Sequence, residues 1–275
     1  MTPMTSFRRL AAAGAVLAAM LPAAAPAADV TDLLHIAVLD GWQTDTGSHM
    51  AALRITLEDG WKTYWRMPGD SGIPPQFSWS GSDNLGAVQI HWPRPTVFDD
   101  GGVETIGYKG EFVLPVEVFP RDANAPIRLE GSASVGVCRE VCVPVDQVFG
   151  GLLSATTAAL PGDRVAIREA LADRPDRVSG PKTVTCSVDP IADGLRLTVR
   201  IDVPDQGGRE RVVFETGRPD LWISPTQSSR DGHILVASAE LVPPEARPFA
   251  FDRSELRVTV LGATRAVEMR GCRGA

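Results

Sequence analysis

The sequence predicts an all-β protein built from two immunoglobulin-like sandwiches joined by a linker with a short helix. Three observations carry this. Apolar residues alternate with polar ones at a period of two in segment after segment, as in Leu53, Ile55 and Leu57 against Arg54 and Thr56, the pattern of a half-buried strand. Turn residues punctuate those segments at short intervals, giving about seven strands before residue 153, the number a small sandwich needs. The alternation then lapses between Ser154 and Pro181 and resumes beyond it.

Residues 1–28 precede the fold. Arg8 and Arg9 open a basic start, Leu10 to Leu21 is apolar, and Ala25-Pro26-Ala27 supplies small residues for cleavage. This is the pattern of a secretory signal peptide, and the apolar run is too short for a stable membrane span. Its removal takes two arginines and no acid, so the net charge of −7 becomes −9. An acidic mature chain without a basic cluster argues against nucleic acid and against an anionic membrane surface. No later stretch has the length of a membrane-spanning helix. The predicted location is the periplasm.

From residue 29 to 153 the first domain begins with a strand at Leu33 to Leu39. Asp59-Gly60 marks a turn before Trp61-Lys62-Thr63-Tyr64-Trp65-Arg66, and the prolines and glycines between Met67 and Pro75 predict a loop. Val88, Ile90 and Trp92 alternate as a strand, and Phe98 to Gly110 reads as a glycine-rich, acidic loop. Phe112, Leu114, Val116 and Val118 form another strand, in which Pro115 suggests an edge or bulge position. Ile127 to Leu129 and Val135 to Val145 complete the set. Residues 154–180 are the predicted linker, with Asp163 as the N-cap of a helix through Leu171 that Pro175 ends. The second domain, 181–275, opens on Leu195, Leu197, Val199, Ile201 and Val203 in strict alternation. Strands at Val212 to Phe214, Ile234 to Ala237, Leu256 to Leu261 and Ala266 to Met269 follow.

The chain has four cysteines, and outside the cytoplasm disulfides form and persist. Cys138 and Cys142 flank Arg139-Glu140-Val141, polar enough to turn, so the two would face each other across a hairpin base. Proximity pairs them and leaves Cys186 with Cys272. Chain entropy assigns about 2 kcal/mol to the small ring and about 4.6 kcal/mol to the long one. The long bridge is thus a structural staple tying together the ends of the second domain. The short one stabilises little and calls for another role. Reversible exchange between dithiol and disulfide is one; a permanent hairpin staple and a Cu(I) or zinc site are the others. His35, His49, His91 and His233 show no ligand spacing with the pair. Arg139 favours a thiolate and Glu140 opposes it. Trp42, Trp61, Trp65, Trp79 and Trp92 read as core and rim packing. Asp99-Asp100 reads as solvated acids, and no hydrolase motif is present.

Several segments between Leu33 and Gly150 resemble the N-terminal periplasmic domain of the thiol:disulfide interchange protein DsbD, and more closely its ScsB-like variants. They are Gly60-Trp61-Lys62-Thr63-Tyr64-Trp65-Arg66, Pro68 to Gly72, Pro74-Pro75, Phe77-Ser78-Trp79, Glu104-Thr105-Ile106-Gly107-Tyr108-Lys109, Leu114-Pro115-Val116 and the cysteine segment through Pro144-Val145. The resemblance implies an immunoglobulin-like electron relay, reduced by a membrane-embedded thiol reductase and reducing periplasmic thioredoxin-like proteins, with no organic cofactor and no metal. It gives Cys142 the mixed disulfide with partners and Cys138 the resolving step. It places a cap loop at Glu104, Thr105, Ile106, Gly107 and Tyr108, with Ile106 and Tyr108 shielding the sulfurs. DsbD itself has more residues between its cysteines. It also has a transmembrane region and a thioredoxin-like domain not found in this sequence, so the electrons are expected from a separate protein. A non-catalytic interaction or chaperone-like module with structural disulfides, and a copper-handling protein, are the rival readings.

Overall fold

The computed structural model describes residues 30–154 and 160–275; the signal peptide expected at 1–28 lies outside the described residues. In the first half ten strands follow a short 3-10 turn, Val30–Leu33: β1 (Leu34–Gln43), β2 (His49–Leu57), β3 (Lys62–Gly69), β4 (Gln76–Ser78), β5 (Leu85–Ile90), β6 (Thr96–Asp100), β7 (Val103–Lys109), β8 (Glu111–Pro120), β9 (Ile127–Cys138) and β10 (Cys142–Leu153). They form a four-stranded sheet, β1-β2-β8-β5, and a six-stranded one, β10-β9-β3-β7-β6 with β4 beside β9. Leu53, Ile55 and Leu57 of β2 and Leu114, Val116 and Val118 of β8 point inward. They meet Leu129, Val135, Val137 and Val145 of the opposing sheet, as the period of two requires.

Two expectations change here. Pro115 sits in a central strand, between β2 and β5. Its carbonyl accepts from the His91 N–H at 2.9 Å, on the side where β5 ends its pairing at Ile90↔Val116. The missing proline donor therefore falls just past a neighbour's last paired residue, where it breaks no ladder. The stretch Phe98 to Gly110 is no loop but the hairpin β6–β7, in register from Thr96↔Gly107 to Asp100↔Val103. Gly101 and Gly102, at φ of 69° and 93°, make its turn, a conformation open to glycine without steric cost.

Helix α1 (Pro161–Ala172) starts two residues before the predicted cap. Leu160 is the N-cap and Pro161 opens the first turn, where its lack of an N–H costs nothing; Asp163 is instead the acid of that turn. Ile167 plugs the helix onto Leu39, Met50 and Ala52 of the first sheet. Beyond it β11 (Asp176–Ser179) runs parallel to residues 266–270, and a single turn α2 (Gly180–Thr183) leads on. The remaining strands are β12 (Val184–Ile191), β13 (Gly194–Asp202), β14 (Arg211–Glu215), β15 (Trp222–Ile223), β16 (Gln227–Asp231), β17 (Ile234–Val242), β18 (Arg257–Leu261), β19 (Ala266–Arg270) and β20 (Arg273–Gly274). Their sheets are β11-β19-β18-β14 and β15-β17-β13-β12-β20, with β16 beside β17. The protein is all-β, two sandwiches each with its own core. The segment 154–180 thus gives a helix to one sandwich and a strand to the other.

The two halves meet along a third apolar cluster. Trp65, Ile106 and Tyr108 of the first pack on Val213, Leu261 and Ala266 of the second. Arg66 reaches across the boundary to Glu215 through two bonds of 2.9 Å and to Glu268 at 2.7 Å. Burial works against its charge, but the bonds to the two carboxylates outweigh that and raise its pKa. Arg211 of the second half binds Asp70 at 3.2 Å and Glu104 at 2.7 Å.

Candidate functional site

The cysteine pair closes the longest hairpin among the described residues. β9 and β10 pair without a break from Ile127↔Leu153 to Cys138↔Cys142, and Arg139-Glu140-Val141 turns between them, with the Arg139 N–H bonded to the Val141 carbonyl at 3.2 Å. Two residues directly opposed at the end of such a ladder bring their sulfurs together. Their Cα atoms lie 4.1 Å apart and the disulfide is formed. The strand parity that sends Val135 and Val137 into the core sends Gly136 and Cys138 to the outer face of the sheet.

The two sulfurs have unequal surroundings. Cys138 is 2 % exposed, whereas Cys142 is exposed, as are Val141 before it and Pro144 after it. β3 lies on the inner side of the pair, with Lys62 opposite Cys138. Two residues on, Tyr64 donates its hydroxyl to Cys138 Sγ at 2.8 Å and lies 3.3 Å from Cys142 Sγ. Burial first, then the negative charge of Asp100, raises the Tyr64 pKa, so the hydroxyl keeps its proton and remains a donor. The absence of a side chain at Gly136 makes room for this ring, since a Cβ there would stand 3.1 Å from Tyr64 Cε2 and 2.9 Å from Ile73 Cβ. Tyr64 stood in the sequence as part of a resembling segment without a role. Its place two residues after Lys62 on a strand was the available signal.

Lys62 is buried, and its ammonium binds the Asp100 carboxylate and Thr105 Oγ1, the latter at 2.9 Å. It also lies 5.2 Å from the centre of the Phe98 ring. The hydrogen bond to Lys62 holds the Asp100 carboxyl below its usual pKa. The tip of hairpin β6–β7 thus reaches the residue paired with Cys138.

The five residues expected as a cap loop, Glu104 to Tyr108, form most of β7 instead, and all five are buried. They alternate between two environments, which is why no alternation of polarity shows in the sequence. Thr105 and Gly107 share the face of Lys62 and Tyr64. Ile106 and Tyr108 lie on the other face, packed on Trp65 and the second sandwich, with the Tyr108 ring stacked on Phe112 and its hydroxyl donated to the Pro93 carbonyl. Glu104 is held by Arg209 at 3.0 Å and Arg211 at 2.7 Å.

The second disulfide, Cys186–Cys272, spans a Cα distance of 5.9 Å and a sequence separation of 86. Both cysteines are part of the second core, and β20 runs parallel to β12 beside them. Among the described residues no three His, Cys, Asp or Glu side chains are grouped to hold a metal ion, and no helix is long and apolar enough to cross a membrane.

Residues 37–153 match the family model described as thiol:disulfide interchange protein DsbD, N-terminal. These residues are a DsbD N-terminal-like domain. The solved N-terminal periplasmic domain of ScsB from Proteus mirabilis is similar in fold, with a TM-score of 0.64 at 23 % identity, over 88 % of this chain and 92 % of that one. A match of that extent reaches well beyond the DsbD N-terminal-like domain, so the likeness takes in the second sandwich as well. No curated protein matches the chain. The cysteine hairpin, Tyr64 and Lys62 all lie inside the DsbD N-terminal-like domain; Arg209 and Arg211, which brace its β7, come from outside it.

Proposed function

We propose that the chain is a periplasmic thiol–disulfide exchange protein that relays electrons from a membrane-embedded reductase to thioredoxin-like partners through Cys138 and Cys142. In this reading residues 1–28 direct export, 29–153 form the redox domain, 154–180 connect, and 181–275 are the second domain. The observation that carries it is the inequality of the two sulfurs: one exposed beside a short turn, the other buried under a tyrosine hydroxyl. An exposed sulfur is the one a partner reaches, and a buried one beside it is placed to resolve the intermediate.

The exchange balances without any cofactor. The reduced protein carries two thiols. The Cys142 thiolate attacks one sulfur of a partner disulfide, the S–S bond breaks, and the partner's other sulfur leaves as a thiolate that takes up a proton. Cys138 then loses its proton and attacks Cys142 Sγ, which releases the partner's second thiol. Two electrons and two protons have passed to the partner, and Cys138–Cys142 is a disulfide again. The membrane reductase returns it to the dithiol by the same steps in reverse.

The test is equilibration in thiol buffers followed by alkylation and mass measurement. Cys138 and Cys142 should titrate reversibly above about −300 mV while Cys186 and Cys272 stay oxidised. A first pair that resists reduction down to about −300 mV would make it a staple and sink the proposal. With Cys138→Ala, Cys142 should remain joined to its partner, which identifies that protein.

A further inference from the structure

We propose that Lys62 supplies the cation that sets the reactivity of the reduced cysteine pair, and that Asp100 holds that charge in check. This rests on the exchange reading above and names the residues that tune it.

Lys62 stands directly opposite Cys138 on the neighbouring antiparallel strand, a position whose Cβ atoms are about 5 Å apart on one face of the sheet. Its side chain is 8 % exposed. A lysine on an outer sheet face ordinarily reaches into water, so this one is held down, and what holds it is the Asp100 carboxylate, the Thr105 hydroxyl and the Phe98 ring. In the disulfide state the sulfurs are neutral and Asp100 takes up the ammonium's charge. Reduction places a thiolate on the same face. An opposite charge within about 4–6 Å favours the ionised form of a thiol, so thiolate and carboxylate then compete for one ammonium.

The other charged groups of this face are placed differently. Lys109, opposite Lys62 on β7, is exposed to solvent 4.6 Å from the Phe98 ring centre and adds only a coulombic pull on Asp100. Arg139 lies over Trp61, Glu140 is exposed in the turn, and Tyr64 is a neutral donor. Asp100 is itself 66 % exposed, on the tip that Gly101 and Gly102 turn, so its hold on Lys62 is the replaceable one.

The experiment measures the thiol pKa of the reduced full chain from the pH dependence of alkylation by iodoacetamide, in the wild type and three variants. In the wild type the more reactive thiol should ionise below the ordinary value of about 8.5. Lys62→Gln should raise that pKa by about one unit and slow alkylation at neutral pH about tenfold. Asp100→Asn should speed it about threefold, and the gain should vanish in the Lys62→Gln/Asp100→Asn double variant. An unchanged pKa in Lys62→Gln, or an Asp100→Asn gain that survives intact without Lys62, would overturn the inference. Should Lys62→Gln fail to fold, the exposed Asp100→Asn change decides alone: no acceleration refutes it. A pair that cannot be reduced in the folded protein is a different result, and brings down the exchange reading together with this one.

Discussion

In the proposed exchange, the Tyr64 hydroxyl bears on which state of the cysteine pair is favoured. It reaches both sulfurs in the disulfide, where each is a weak acceptor; after reduction the same hydroxyl faces a thiolate, and hydrogen bonds to charged groups are worth roughly twice those to neutral ones. Its preference for the reduced state is therefore about 1 kcal/mol. Tyr64→Phe should make the dithiol harder to form and move the potential of Cys138–Cys142 about 20 mV more negative in a glutathione titration. An unmoved potential would mean the hydroxyl serves both states alike. Gly136→Ala tests the same contact from below. Its new Cβ would stand within 3.1 Å of the ring and 2.9 Å of Ile73 Cβ, so one of them must move. The cost should be about 1–3 kcal/mol in urea unfolding, with Cys138 becoming more open to alkylation once reduced.

At the scale of the element the β6–β7 hairpin is where residues and structure parted. The cysteine hairpin was legible, because two cysteines flanking a polar triplet between valine-rich arms allow little else. β2, β8 and β13 were legible for a different reason, since each has one face in a core. β7 was not: Ile106 and Tyr108 are buried against the second sandwich and Thr105 and Gly107 beneath the cysteine face, so a strand covered on both sides shows no alternation. Pro115 misled in the opposite direction, because its tolerance in a central strand depends on where a neighbour ends. The hairpin's seating on β3 makes its own prediction. A Cβ at Gly107 would lie 1.9 Å from the Thr63 carbonyl oxygen, a backbone atom that cannot yield without parting the two strands. Gly107→Ala should cost about 3 kcal/mol and free the Asp100 tip, read as a lower urea midpoint together with faster alkylation of the reduced pair.

The helix that follows the first sandwich is docked partly through a proton. Arg174, just past α1, donates to His91 Nδ1 at 2.9 Å, while His91 Nε2 faces Glu117 at 3.2 Å. An arginine can only donate, so Nδ1 must be the unprotonated nitrogen and the ring is neutral. Burial foremost, with Arg174 adding to it and Glu117 opposing, lowers the His91 pKa below its ordinary 6.5. The unfolded chain then takes up this proton first as the pH falls. The stabilising contribution is complete above about pH 6.5 and is lost as the pH drops from there through the lower folded value. Urea midpoints should fall between pH 7.5 and 5.5, and His91→Gln should flatten that part of the profile.

Across the whole molecule, the second sandwich is tied to the two segments that pack beside Tyr64 and Lys62. Arg211 holds Asp70 before the Ile73 loop and Glu104 in β7, and the apolar contact runs through Trp65, Ile106 and Tyr108. The joint turns on Arg66, whose side chain is 15 % exposed and whose partners Glu215 and Glu268 are 15 % and 14 % exposed. Removing it leaves two nearly buried carboxylates with Arg257 and Arg177 at 3.5 Å or more. The loss of one member of such a group costs about 3 kcal/mol. Because each sandwich has its own core, that loss should fall on the joint and not on either half. Tryptophan fluorescence separates them, since five of the six tryptophans, Trp42, Trp61, Trp65, Trp79 and Trp92, are in the first sandwich and Trp222 is in the second. In the wild type, fluorescence and far-ultraviolet circular dichroism should follow one urea transition; in Arg66→Met they should separate into two. If they stayed coincident at an unshifted midpoint, the sandwiches would be coupled through the apolar contact, and the ion cluster at Arg66 would contribute nothing to their cooperativity.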